Sequence, residues 1–479
     1  MTNKLKNLAL FLLCLLAANS AWADEKIEVD GFYYWLYDSR PGVCQLTSKD
    51  DQYATYSGDV AIPETVTYNG TTLRVTDIGI RAFYKCDALT SVTIPSSITR
   101  VLTEAFANCS ALKQISFPNS VKEFGTSVLE NCTSLEEVEL PVEMSRIPGE
   151  MFNNCESLKA IDIPETVTEI GGLAFSDCKA LTSVVVPNSV VKMGGSVFER
   201  DWNLQKVVLS ENLQSIGTSV FHECKALTQV NIPESLTTIP NGTFKTCSSL
   251  EVLYLHSGVT SVAWSQAFDN TDKLATIVID KNNPKYTVLG ELVYAKDFTT
   301  IYFCPKPKAG DIIVHKKVQT VADKAFYYCQ KITTLMLPKN IKTVGANAFS
   351  SVCEQPGFTD LYCFGTTLPS VQSSSFVGNS NLLKNVKLHV LKGKASDYTT
   401  HKTWKRFTNV VDELEIFDEG DINHDHRISL SDLTALVDLL IHGEITDLDP
   451  YVSDVNDDNQ FDAGDVKTIA EICLRIAQN

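Results

Sequence analysis

Cysteine returns every 23 residues along the first half of this 479-residue chain, at Cys86, Cys109, Cys132, Cys155 and Cys178, and Asp201, Cys224 and Cys247 keep the same step. A unit this short cannot bury an apolar face by itself, but it can do so against identical neighbours, so a fixed period of this length calls for a stack. Written from each such position, the unit is C-x-x-L-x-x-h-x-h-P-x-x-h-x-x-h-G-x-x-A-F-x-x, with h apolar. The copy at Cys155 carries Leu158, Ile161, Ile163, Pro164, Val167, Ile170, Gly171, Ala174 and Phe175. At least eight copies are legible.

Alternation at Leu158, Ile161 and Ile163 predicts a short strand with one face inward. Pro164 cannot donate to a ladder and ends it. Gly171 reads as the residue of a tight turn, and Phe175 fills the core on the return path. One small apolar cysteine per coil predicts a buried column rather than disulfides. Cys304, Cys353 and Cys363 fall outside that column and are the candidates for pairing, since export favours disulfides.

These units resemble the BspA-type, or Treponema pallidum-type, leucine-rich repeats of bacterial surface proteins. Val60-Ala61-Ile62-Pro63, Val66 to Thr72 and Val75 to Gly79 look like the lead-in to the first regular copy. The resemblance implies an N-terminal β cap over 24–60, closed by Phe32, Tyr33, Tyr34 and Trp35, and a repeat solenoid over 61–411. Departures are Pro148 and Pro240 in place of the glycine, Asp201 in place of the cysteine, and an extra residue near Trp264. Turn signals at Asn283-Pro284, Gly290-Glu291 and Lys296-Asp297 predict a hairpin insertion near 281–312. Copies resume at Val321–Phe326 and Cys329–Phe349, and Ala395–Val411, with Tyr398, Trp404 and Phe407, resembles the short aromatic helix that caps such arrays.

An acidic linker, 412–419, leads to a second pattern over 420–479. Asp421, Asn423, Asp425, Arg427, Ser429 and Asp432 occupy positions 1, 3, 5, 7, 9 and 12 of one loop. Asp454, Asn456, Asp458, Gln460, Asp462 and Asp465 repeat them 33 residues later. Calcium takes six to eight oxygens from such positions, with the seventh residue offering its backbone carbonyl, so each loop is a candidate for one Ca2+, two in all. His426 and Asn459 stand at position 6, where a loop of this kind usually places glycine. Apolar helix patterns follow, Leu433, Leu436, Val437, Leu440 and Ile441, then Val466, Ile469, Ile472, Cys473 and Ile476. Ile428 and Phe461 are expected to pair between the loops. A terminal Asp without a complete helix before each loop resembles dockerin modules, which implies a cohesin-like protein as partner, met by Leu430-Ser431 and Ala463-Gly464. The expected fold is thus mixed α/β, mostly β: a leucine-rich-repeat solenoid followed by a small α-helical, EF-hand-related domain.

Charge supports a cation as ligand. Residues 411–479 hold 18 Asp and Glu against 3 Lys and Arg, leaving about −2 of the formal −17 for everything earlier. Such a balance argues against nucleic acid, whose phosphates need clustered Lys and Arg. Lys4, Lys6, an apolar run from Leu8 to Ala18 and Ala21-Trp22-Ala23 read as a signal peptide, 1–23, placing the protein outside the cell or at its surface. Cys14 does not make a lipobox, because Leu13 precedes it. No stretch is long and apolar enough for a membrane span.

Catalytic motifs do not surface: there is no G-x-S-x-G, H-E-x-x-H or G-x-x-x-x-G-K-[ST], and His222-Glu223 stands isolated on a repeat. The expectation is a non-enzymatic binding or adhesion protein whose solenoid meets a host matrix protein or a glycan, as the resemblance implies. Lys113, Gln114, Glu136, Glu137, Lys159, Gln205, Lys206 and Gln229 would form part of its surface. The alternative is a non-catalytic accessory subunit of a cohesin–dockerin assembly that degrades polysaccharide; a blander one makes the C-terminal module only a calcium staple.

Overall fold

The structure, a computed structural model, describes residues 25–353, 355–376, 383–442, 450–456, 458 and 462–478. The expected signal peptide, 1–23, and Asn459, Gln460 and Phe461 lie outside the described residues. Two units divide the chain: one runs to Ser249 and includes Ala267–Asn270, and the other holds Leu250–Gln266 and Thr271 onward.

In the first unit, strands β1 (Glu25–Val29), β2 (Phe32–Leu36) and β3 (Val43–Thr47) form an antiparallel meander. The strand β3 then pairs in parallel with Thr71–Ile78. Period-2 geometry sends only Tyr34 and Leu36 of the aromatic run fully inward, while Phe32, Tyr33 and Trp35 stay half-buried. The parallel ladder of the repeats starts at Gly58–Ala61, which pairs with Leu89–Thr93, three residues before the expected boundary at 61.

Most coils contribute to two parallel ladders. One joins Gln114–Ser116 to Glu137–Glu139, and Ser183–Val185 to Lys206–Val208 and Gln229–Val230. The other runs through Arg146–Ile147, Glu169–Ile170, Lys192–Met193 and Ser215–Ile216. Backbone bonds across the return path complete the coil, as from Phe175 N to the Val197 carbonyl at 3.0 Å and from Phe198 N to Val220 at 2.9 Å. The expected strand at Leu158–Ile163 is extended but not a ladder strand: Leu158, Ile161 and Ile163 are buried, yet Lys159 N reaches the Glu136 carbonyl only at 3.4 Å.

The core is built in columns. Phe152, Phe175, Phe198, Phe221, Phe244 and Phe268 stack with centroids 5.3–5.9 Å apart and rings within 12° of parallel. Cysteine forms a second column, and each Sγ donates to a carbonyl of the preceding coil, Cys178 to Phe152 at 3.2 Å and Cys224 to Phe198 at 3.0 Å. Burial pushes the thiols of Cys155, Cys178 and Cys224 far up, so they stay protonated donors.

Glycine plays a different part from the one expected. Gly171, Gly194 and Gly217 do not adopt positive φ. A Cβ on Gly194 would lie 2.3 Å from the Gly172 nitrogen, and one on Gly217 the same distance from Gly195, so close stacking of coils demands the bare backbone. The left-handed positions are instead filled by Leu173, Ser196 and Ser219, and by Asn131, Asn154 and Asp177; Asn and Asp tolerate that conformation best among side-chain-bearing residues.

The second unit contains the irregular region. Tyr286–Leu289 and Leu292–Ala295 form an antiparallel hairpin around Gly290-Glu291, and Thr300–Phe303 extends it before pairing in parallel with Thr320–Val321. Asn283 makes this fold-back possible: it is fully buried, donates to the carbonyls of His256 (3.1 Å) and Val259 (2.9 Å), and accepts from the amides of Lys285 and Tyr286. A five-stranded parallel ladder follows, Ala309–Ile313, Lys331–Leu337, Asp360–Cys363, Lys387–Leu391 and Asn409–Leu414. The helix Ala395–Thr400 and the turn Trp404–Arg406 bury Tyr398, Trp404 and Phe407 against it.

Two expectations are corrected here. The linker at 412–419 is shorter, because 412–414 complete the last strand, whose Asp412 and Glu413 point to solvent. No disulfide joins Cys304, Cys353 and Cys363; all three are buried, and Cys304 offers its carbonyl to Cys329 Sγ at 3.4 Å, as the phenylalanines of other coils do for their column cysteines.

Candidate functional site

Among the described residues the two acidic loops share a set of bonds. In the first, Asp425 N donates to Asp421 Oδ1 at 3.0 Å, Asn423 N to Asp432 Oδ1 at 3.2 Å and Ser429 N to Asp432 Oδ2 at 2.8 Å. In the second, Asp458 N donates to Asp454 Oδ1 at 3.1 Å, Asn456 N to Asp465 Oδ1 at 3.3 Å and Asp462 N to Asp465 Oδ2 at 3.0 Å. Asn423 Nδ2 and Asn456 Nδ2 each donate to the carboxylate two residues on, Asp425 at 3.2 Å and Asp458 at 3.0 Å. Each loop closes onto the carboxylate that opens its helix, Leu430–His442 or Ala463–Gln478.

Asp421, Asp432 and Asp465 are fully buried, and among the described residues no Lys or Arg pairs with them. Buried carboxylates without a counter-charge are costly. An all-oxygen donor set of this spacing would suit a hard cation such as calcium, to which Arg427 would offer only its carbonyl and Ser429 its hydroxyl. Among the described residues no three carboxylate, imidazole or thiol side chains gather as a ready metal cluster.

His426 does take the left-handed conformation that position 6 demands, and so does His424, with φ of 64° and 59°. Phe417 explains how: its ring stacks on His424 at 4.0 Å and lies 5.0 Å from His426. Sequence reading placed Phe417 in a linker and missed this support. Ile422, Leu436, Val452, Ile469 and Cys473 form the small core beneath, with Ile428 packed against it. The expected partner of Ile428, Phe461, lies outside the described residues, as does Gln460. Ile441, expected inward, is 66% exposed.

On the ladder of the first unit, Lys113, Gln114, Glu137, Lys159, Gln205, Lys206 and Gln229 are exposed, coil after coil. Glu136 is less exposed as a residue, and its carboxylate pairs with Lys159 across one coil. Below the strand ends an open trough is lined by Ser116, Asn119, Glu139, Val142, Asp162 and Glu165.

The face of the second unit carries a cluster that no motif announced. His389 Nδ1 lies 2.6 Å from Glu413 Oε1, its Nε2 lies 2.8 Å from Asp360 Oδ1, and its ring stacks on Tyr362 at 4.1 Å. Burial works against the Asp360 carboxylate, yet bonds from Thr359 and His389 hold it below the usual value. These residues come from three degenerate coils, where no fixed spacing could have signalled them.

Stacked parallel strands, a conserved-size coil and one exposed face define a leucine-rich-repeat protein. The description "BspA type Leucine rich repeat region (6 copies)" matches residues 76–201, 168–288 and 296–398, and the chain belongs to that family. Among solved structures it resembles a leucine-rich cell surface protein from Faecalibacterium prausnitzii, with 18% identity over 82% of this chain and 96% of that one and a TM-score of 0.40. It also resembles the Treponema pallidum leucine-rich repeat protein, with 27% identity over 47% and 91% of the two chains and a TM-score of 0.32. The pneumococcal vaccine antigen PcpA shows 14% identity over 82% and 100%, with a TM-score of 0.29. A search of curated proteins finds no match. Among the described residues no helix is long and apolar enough to cross a membrane.

Proposed function

We propose that this chain is an exported adhesion protein: its repeat face binds a host matrix protein or a glycan, and its C-terminal module is a calcium-binding, dockerin-like attachment domain. The single observation that carries the first part is the strand face, which exposes charged and amide side chains on successive coils. Exposed pairs such as Lys159 with Glu136 contribute little to folding, so these groups are free to exchange partners. Charge reversal of Lys113, Lys159 and Lys206 together is expected to weaken capture of the ligand by roughly tenfold or more, chiefly through the association rate. Binding of the purified protein to matrix proteins and glycans on arrays, with and without these changes, is the test; unchanged capture removes the face from the reading.

For the loops, the support is a set of bonds shared by the described residues of both and three buried carboxylates that, among the described residues, no Lys or Arg pairs with. Calcium at about a hundred times its dissociation constant is expected to stabilise the module by about 2.7 kcal/mol. The gain should vanish when Asp421 and Asp454 are replaced by alanine. Calorimetry in calcium and in chelator reads it, and a melting profile indifferent to both dismisses the ion. The second reading, an accessory role in a cohesin–dockerin complex, is favoured by Leu430, 69% exposed at one of the positions the resemblance assigns to cohesin contact. Calcium-dependent pull-down on cohesin-bearing proteins decides it.

A further inference from the structure

The C-terminal module packs on the coils of its own unit. Lys316, on the coil that follows Ala309–Ile313, has only 9% of its side chain exposed, although lysine favours solvent. Its Nζ donates to the backbone carbonyl of Asp454 at 2.6 Å and lies 3.5 Å from Glu419 Oε2. These two acceptors precede or open the two acidic loops. The loops meet at that point, since Gly420 N donates to the Val452 carbonyl at 2.9 Å. A second anchor stands beside the first. The Tyr451 hydroxyl donates to the Met336 carbonyl at 2.9 Å and reaches that of Val314 at 3.3 Å, while its ring meets Phe364 edge-on at 5.2 Å. Pro338, Ile416 and Phe417 line the seam.

We propose that the coil flank around Lys316, Met336 and Phe364 is a receptor for the chain's own C-terminal module, and that calcium in the second loop sets the seat. Carbonyls at the edge of a repeat would otherwise face water, and here a phenol and an ammonium from opposite partners satisfy one another's surfaces. The coupling follows from Asp454, whose carboxylate is a proposed ligand and whose own carbonyl holds Lys316. Without the ion, the carboxylates of Asp454, Asp458, Asp462 and Asp465 repel one another and loosen the segment that presents Tyr451, Val452 and that carbonyl. With it, Tyr451 and Asp454 are fixed at the spacing the coils require. The module is thereby carried in one orientation, with Leu430, Ile441 and Leu474 exposed. This rests on the calcium reading of the loops.

Amine acylation of the full chain, read by mass spectrometry, tests the seat, because the exposed neighbour Lys317 is a built-in control. In calcium, Lys316 is expected to acylate about tenfold more slowly than Lys317. Chelator, Tyr451→Ala or Phe364→Ala should each bring the two rates within about threefold of each other. Equal rates in calcium overturn the proposal, and so does protection that survives both substitutions. Protection that survives chelator overturns the coupling. Ion uptake is measured separately by titration calorimetry: a chain that takes up two ions yet leaves Lys316 reactive refutes the seat and spares the calcium reading, whereas a chain that takes up none refutes that reading itself.

Discussion

Phe198→Ala is expected to destabilise the first unit by about 3–5 kcal/mol, the usual cost of removing a buried aromatic ring and leaving its cavity. Phe198 is fully buried and lies between Phe175 at 5.6 Å and Phe221 at 5.8 Å, nearly parallel to both. The neighbouring backbone cannot collapse into the gap, because coil spacing is set by ladders on either side and by the tight glycine contacts of Gly194 and Gly217. Loss should spread beyond one coil, since each repeat rests on the next. Trp202→Ala on the next coil supplies the contrast: the ring is 40% exposed and flanked by Lys179 and Lys225, so the cost should be far smaller. Urea titration followed by circular dichroism measures both, and a loss below about 1 kcal/mol for Phe198→Ala would show that the column does not bear the stack.

Asp201→Cys is expected to act the other way, raising stability at neutral pH by about 1–3 kcal/mol, the usual cost of burying an unsatisfied polar group. Asp201 takes the place of a column cysteine and is fully buried; its Oδ1 accepts from Cys178 N at 2.7 Å, while Oδ2 has no partner. Burial drives its pKa well up, with the Cys178 amide opposing and Asp177 adding to the rise. The sign follows from linkage. Below the unfolded value of about 3.9 the carboxyl is protonated in both states. As pH rises above that value, the unfolded chain ionises and the folded one does not, so the wild type loses up to about 1.4 kcal/mol per pH unit until its folded pKa is reached. Cysteine removes that loss and can donate to the Phe175 carbonyl as its column mates do. The Cys178 amide is not orphaned, because it also reaches the Phe175 carbonyl at 3.2 Å. Melting of both proteins between pH 4 and pH 8 should show curves that converge in acid and separate toward neutrality; a constant offset would mean that ionisation plays no part.

The period exposed the array because a column needs the same residue at the same place in every coil, and cysteine is rare enough for its recurrence to stand out. The two loops were legible for a similar reason, since ligand positions within 12 residues are local. What escaped depended on contacts between coils. Gly171 looked like a turn residue, but only the approach of Gly149, a Cβ's 2.3 Å away, shows that its role is to admit a neighbouring backbone. Cys304 looked like a pairing candidate, but its thiol stays free and its carbonyl receives the Cys329 thiol. Phe417 and the last strand hid in a run of acidic residues whose charge suggested a tether, because exposed edge strands carry charge too. His389, Asp360 and Glu413 lie 24 to 29 residues apart in irregular coils, and nothing local ties them together.

The parallel ladders pair Glu169 with Lys192 and Lys192 with Ser215, so every bonded partner lies one whole repeat ahead or behind. Recombination between two copies at equivalent points therefore yields a chain whose surviving rungs still meet their own kind. Such an array can gain or shed cassettes across generations without learning a new fold, while substitutions on the outer face retune what each added segment touches.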